Sequence, residues 1–200
     1  MKTLKFVDRE KWLEARRGKI TGTRLKDLIV KRGTGRKIGF YELIAERIAV
    51  APDGEKAVER GARLEDDAIA RFAKETKKKV DTSLVIWTRD DNENIAVSPD
   101  AFVGKKEAVE AKCLSSALHI KAWLTQAVPD EYEDQVHQYF IVNDDLETLH
   151  LVFYDPRIPV KDYFSITVNR EDVQEKVDEY LAYEKQVLEE VERIVNELTY

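Results

Sequence analysis

At 200 residues, 43% of them hydrophobic and 36% charged, the chain is long enough for a substantial core and most simply forms one domain. No apolar run approaches the length of a membrane span, and no charged-then-apolar leader precedes a small-residue cleavage site, so an intracellular, cytoplasmic protein with no membrane partner is expected. The single cysteine excludes an internal disulfide, and the net charge of −6 argues against a general nucleic-acid binder.

The charge is unevenly spread. Residues 1–37 hold thirteen Lys or Arg against four acids, whereas from Arg170 onward four basic residues meet ten acids. A basic N-terminal third suits phosphates while the acidic remainder keeps the protein soluble, though solvated helix faces would give the same composition.

Asp8 reads as the N-cap of a short helix that carries Trp12 and Leu13 and ends at Gly18. Thr21 or Thr23 caps the next, where Leu25, Leu28 and Ile29 recur at helical spacing. Residues 31–39, with three glycines, form a loop, 40–50 a helix, and 52–54 a turn. A long helix is predicted over 56–77. The period then shortens, predicting strands over 80–87, 94–98, 101–103 and 108–113. A helix over 116–124 and another over 130–142 follow, then strands over 148–154 and 163–168. The final helix runs from Arg170 with Val173, Val177, Leu181, Leu188, Val191 and Val195 as its apolar stripe. Helices, a strand cluster, helices, two strands and a helix make an α/β domain with a mixed sheet.

The chemistry concentrates in Ser98-Pro99-Asp100, followed by Glu110-Ala111-Lys112. Because strand side chains alternate, Glu110 and Lys112 share one face while Val109, Ala111 and Cys113 take the other. Asp100 and Glu110, with the backbone carbonyl of Ala111, are hard oxygen donors suited to Mg²⁺, with Mn²⁺ as an alternative. Lys112 beside them is placed to orient a water or help remove its proton. That combination is a nuclease site, although a bare Glu-x-Lys is common on exposed strands. Glu65 shares a helix face with Ile69 and Phe72, so it needs a partner, either this metal or a nearby arginine. Arg16, Thr21 and Thr23 flank Gly18 at a helix-to-helix turn, a good anion site. Cys113 reads as a small buried hydrophobe, and His119 and His150 carry no chemistry.

Taken together, these blocks resemble the YqaJ-like, lambda-type phage exonucleases of the PD-(D/E)xK nuclease superfamily. The matching blocks are Trp12-x3-Arg16-x-Gly18-x-Ile20-Thr21-x-Thr23, Gly61-x3-Glu65-x-Asp67-Ala68, Ser98-Pro99-Asp100, Glu110-x-Lys112-Cys113, Tyr132-x2-Gln135-Val136 and Tyr154-Asp155-Pro156-Arg157. The resemblance implies a restriction-endonuclease-like α/β core with a mixed central β-sheet flanked by helices. It implies one nuclease domain over 1–200: basic N-terminal helices in 1–50, a catalytic core in 56–169 and a C-terminal helix in 170–200.

By the same resemblance, Glu65, Asp100 and Glu110 are metal ligands and Lys112 is the catalytic lysine. Arg16, Thr23, Ser98 and Gln135 fall where such enzymes bind a 5′-terminal phosphate. The implied activity is Mg²⁺-dependent 5′→3′ degradation of one strand of linear double-stranded DNA in phage-type recombination. Implied partners are double-stranded DNA ends, a single-strand annealing protein and further copies of the chain, in a trimer. Thr23 stands where Ser is usual, Ala101 where Gly follows S-P-D, and Leu114 where Pro follows the lysine block. An endonuclease or single-strand-directed nuclease of the same fold, and a non-catalytic DNA-binding protein, are the alternatives.

Overall fold

The computed structural model describes residues 1–30, 37, 39–40, 43, 59–114, 116–156 and 158–199. Most of the predicted loop at 31–39, most of the helix at 40–50, the turn at 52–54 and Arg157 lie outside the described residues.

Among the described residues, seven strands form two sheets. The first is antiparallel, in the order β1 (Lys2–Phe6), β2 (Leu84–Thr88), β3 (Ala96–Val97). The second is mixed, in the order β4 (Ala101–Val103), β5 (Glu107–Lys112), β6 (Thr148–Tyr154), β7 (Tyr163–Asn169), with β5 and β6 parallel and the other pairs antiparallel. The helices are α1 (Arg9–Arg16), α2 (Gly22–Leu28), α3 (Glu59–Thr76), α4 (Ser116–Thr125), α5 (Asp130–Val142) and α6 (Arg170–Thr199).

Alternation along β5 and β6 divides the mixed sheet between two cores. Val109, Ala111 and Val152 pack with Ala101 against Ala68, Ile69 and Phe72 of α3. Ala108, Leu149, Leu151 and Phe153 join the larger cluster, with Val136, Tyr139 and Phe140 of α5 and Val177, Val187, Leu188 and Val191 of α6. The sheet thus lies between α3 on one face and α5 with α6 on the other. Glu110, in phase with Ala108, is turned toward α5, and this registration builds the site.

The termini of α1 and α5 are chemically specified. Asp8 caps α1, its carboxylate accepting from the Glu10 N–H at 2.8 Å, and Gly18 takes φ 67° just past the helix, where other residues are strained. Asp130, Glu131 and Glu133 crowd the first turn of α5. At its other end, Arg89 donates to the carbonyl of Ile141 and Arg170 to that of Phe140. Acids at the start and guanidiniums at the end complement the helix dipole. Arg89 is itself held bidentately by Asp144, at 2.9 Å to each oxygen.

Several sequence expectations change. The strand expected at 80–87 is limited to Leu84–Thr88, because Ser83 donates back to the Asp81 carboxylate in a turn and Asp81 makes an isolated bridge to Phe102. The one expected at 94–98 shrinks to Ala96–Val97: the N–H of Ile95 is used by Asn92 in a turn, and its backbone bridges Ile20 instead. Strand β1 was not foreseen, and it adds an antiparallel sheet beside the mixed one.

Candidate active site

Strand β5 carries the centre. Lys112 Nζ donates to Glu110 Oε1 at 2.9 Å and to Gln135 Oε1 at 2.7 Å, while Gln135 Nε2 donates to the same Glu110 oxygen at 2.6 Å. The three side chains therefore close a ring between β5 and α5. Glu110 Oε2 accepts from the Tyr139 hydroxyl, which also lies 3.5 Å from the Ser98 carbonyl. Lys112 Nζ stands 4.3 Å above the ring of Tyr132, a cation–π contact. Tyr132, Gln135 and Tyr139 fall at i, i+3 and i+7 of α5, so one helix face supplies all three.

Asp100, at the entry to β4, accepts the Ala111 N–H through Oδ2 at 2.8 Å. Burial raises its pKa well above the usual range; Glu110 and Glu65 add to the rise, which the Ala111 N–H and Lys112 oppose. Burial also raises that of Glu65, with Glu110 adding to it and Arg9 and Lys112 opposing. Three carboxylates thus share one partly desolvated region and destabilise one another's charge. Arg16, at the end of α1, is partly buried near them. Burial lowers its pKa, against the opposing pull of Glu110, Tyr139 and Asp100.

The donor chemistry suits a divalent cation: carboxylate oxygens whose accumulated negative charge a hard cation would relieve. Among the described residues, no three His, Cys, Asp or Glu side chains stand close enough to hold an ion as they lie. Glu110 is engaged by Lys112, Gln135 and Tyr139, and Asp100 by the Ala111 amide. A bound cation would take the place of part of these bonds.

The residues expected at a phosphate are distributed unequally. Arg16, stacked on Trp12, lies within the electrostatic reach of Glu110 and Asp100, and Ser98 Oγ is buried with no hydrogen-bond partner, a polar atom available to a ligand. Gln135 lies between Lys112 and Glu110 rather than at an open anion pocket. Thr23 is exposed on the first turn of α2, and Thr21, the N-cap, makes no side-chain capping bond. Cys113 is half-buried, and burial with nearby Glu65 and Asp100 pushes its thiol up to about 11, so it is no nucleophile.

Tyr139 escaped sequence reasoning, and Tyr132 entered it only as part of the matching block with Gln135. Tyr139 opens the run Tyr139-Phe140-Ile141-Val142, where a tyrosine reads as core. Its i+4 relation to Gln135 was the available signal.

The mixed sheet covered by helices on both faces, with acids and a lysine along its central strands, defines a restriction-endonuclease-like α/β protein. The YqaJ-like viral recombinase domain matches residues 11–145, and the chain belongs to that family. The chain is also similar to the crystal structure of an alkaline exonuclease (LHK-Exo) from Laribacter hongkongensis, with TM-score 0.81 and 27% identity, over 94% of this chain and 95% of that one. For LHK-Exo in complex with dAMP the TM-score is 0.79 at 27% identity, over 94% of this chain and 97% of that one. No curated protein matches. No helix among the described residues is long and apolar enough to cross a membrane.

Proposed function

We propose that this chain is a metal-dependent 5′→3′ exonuclease that degrades one strand of linear double-stranded DNA from a 5′-phosphorylated end. The observation that carries the reading is the Lys112–Glu110–Gln135 ring beside Asp100, with Arg16 within electrostatic reach of the same carboxylates. Membership of a viral recombinase family and likeness to an alkaline exonuclease support the nuclease class.

Glu65, Asp100, Glu110 and the Ala111 carbonyl would hold Mg²⁺, or Mn²⁺, which supplies positive charge to the scissile phosphate and acidifies a water. Lys112 Nζ, which donates to Glu110 and Gln135, orients the attacking water in line with the phosphorus, and the water's proton leaves to solvent while the departing O3′ takes one up. The P–O3′ bond then breaks, releasing a nucleoside 5′-monophosphate and leaving a new 5′-phosphate on the strand. Arg16, with Ser98 Oγ and Thr23, grips that terminal phosphate, so each product end is the next substrate end. Gln135 holds Lys112 and Glu110 together beside this pocket. The resulting single strand suits an annealing partner, and a homotrimer around the duplex would make digestion processive. The whole chain acts as one nuclease domain in the cytoplasm of a phage- or prophage-bearing cell.

The test is digestion, with Mg²⁺, of linear duplex DNA phosphorylated at the 5′ end of one strand, beside a covalently closed circle. The reading requires loss of the phosphorylated strand alone, with the circle intact. Cutting of the circle would establish an endonuclease instead, and no cutting with either Mg²⁺ or Mn²⁺ would leave a DNA-binding protein.

A further inference from the structure

Helix α1 buries none of its residues, so core packing does not explain its sequence. Arg9, Trp12 and Arg16 fall at i, i+3 and i+7 and share one face. Both guanidinium carbons gather on one indole: Arg16 lies 4.4 Å and Arg9 5.5 Å from the Trp12 ring centroid. The ring is itself anchored, because Trp12 Nε1 donates to the Val85 carbonyl on β2 at 3.2 Å.

Two like charges on one aromatic platform repel, and the repulsion is recovered when an anion meets them. Of the two, Arg16 is partly buried and feels the charges of Glu110 and Asp100, whereas Arg9 is exposed and its field reaches Glu65. The ladder therefore runs from solvent to the acidic centre. A guanidinium fork suits phosphate oxygens, and a nucleic-acid strand entering the centre must carry phosphates past this rim.

We propose that Arg9 is a second DNA contact, binding a backbone phosphodiester rather than the terminal phosphate, and that Trp12 is the positioning residue holding both Arg9 and Arg16 for their phosphates. The inference deepens the nuclease reading and rests on DNA being the substrate of this site.

The experiment measures kcat/KM on linear duplex across a salt series at fixed Mg²⁺, with 5′-phosphorylated and 5′-hydroxyl ends, and thermal unfolding of each variant as the folding control. Arg9→Gln should flatten the salt dependence by about 0.9 in logarithmic slope, one phosphate contact, with the phosphate-to-hydroxyl preference unchanged. An unaltered slope overturns the contact, and a collapsed preference overturns its assignment to an internal phosphodiester. Trp12→Leu should flatten the slope and reduce the preference together, with Trp12→Phe restoring both; a Trp12→Leu enzyme matching wild type in both removes the platform. Arg16→Gln separates the two readings. If it leaves the preference intact, the terminal-phosphate pocket falls and Trp12's role in it with it, while the Arg9 slope still decides the second contact.

Discussion

The hydroxyl of Tyr139 donates to Oε2 of Glu110, joining α5 to β5 inside the protein, where both residues are buried. The same carboxylate receives Lys112 and Gln135 on its other oxygen, so Glu110 is fixed from two elements. A carboxylate held from two elements has a defined orientation to present, as the metal-ligand role proposed for Glu110 needs.

Tyr139→Phe isolates that bond, since the ring remains and only the hydroxyl leaves. Losing a hydrogen bond to a buried charged acceptor is worth about 1–3 kcal/mol, so kcat should fall about tenfold or more. The Mg²⁺ concentration for half-maximal activity should rise as well. Circular dichroism must show the fold retained, and wild-type metal dependence in this variant would separate Tyr139 from the site.

Asp100→Asn keeps an oxygen for the Ala111 N–H while removing the charge. Cleavage should drop below detection. Duplex binding, followed by mobility shift, should persist or tighten, because a negative charge has left a site that receives phosphates. Substantial residual cleavage would exclude Asp100 from the metal-ligand set.

Gly22 predicts a split between stability and activity. A Cβ added there would sit 3.0 Å from Gln135 Cγ and 3.6 Å from Val97 Cγ2. Gln135 must then shift, and its amide is the clasp between Lys112 and Glu110. Gly22→Ala gains helix propensity in α2, about 1 kcal/mol at most, so the midpoint of thermal unfolding should hold or rise while kcat falls severalfold. Loss of both in proportion would mean that the substitution damages packing rather than the clasp.

What the sequence revealed of this site follows from its periodicities. Glu110 and Lys112 were legible because a two-residue period put Val109 and Ala111 on a core face, and those two do pack on α3. The helix Asp130–Val142 was legible because Pro129 opens it and its apolar residues recur in register. Strand β1 was not, since an edge strand of five mostly exposed residues, two of them lysines, carries no burial pattern until β2 is brought to it from about eighty residues away. The partnership of Tyr139 with Glu110 was invisible for a related reason. It depends on β5 and α5 being packed face to face, and no local spacing encodes which acid will meet which hydroxyl. Gln135 illustrates a third limit: resemblance assigned it to a phosphate, and no local spacing shows that its amide bonds both Lys112 and Glu110.

Glu184 sets a pH dependence of stability. It is fully buried in α6, where Gln138 Nε2 lies 3.4 Å from its Oε2. Its Oε1 and the Oε1 of Gln138 have no hydrogen-bond partner. Two such acceptors are reconciled when the acid is protonated, because its O–H then supplies the missing donor. Burial pushes its pKa from 4.5 up to about 8, with Gln138 and Arg89 opposing. Between those limits the folded protein holds one proton more than the unfolded chain, so stability falls as pH rises through this window and the loss is complete above about 8. The difference amounts to roughly 4–5 kcal/mol at most. Glu184→Gln supplies a permanent donor and carries no charge to bury. Urea denaturation should find it close to wild type at acidic pH and several kcal/mol more stable in alkaline buffer, with the gap opening across the titration. A gap that stays constant with pH would mean that Glu184 does not change its protonation on unfolding.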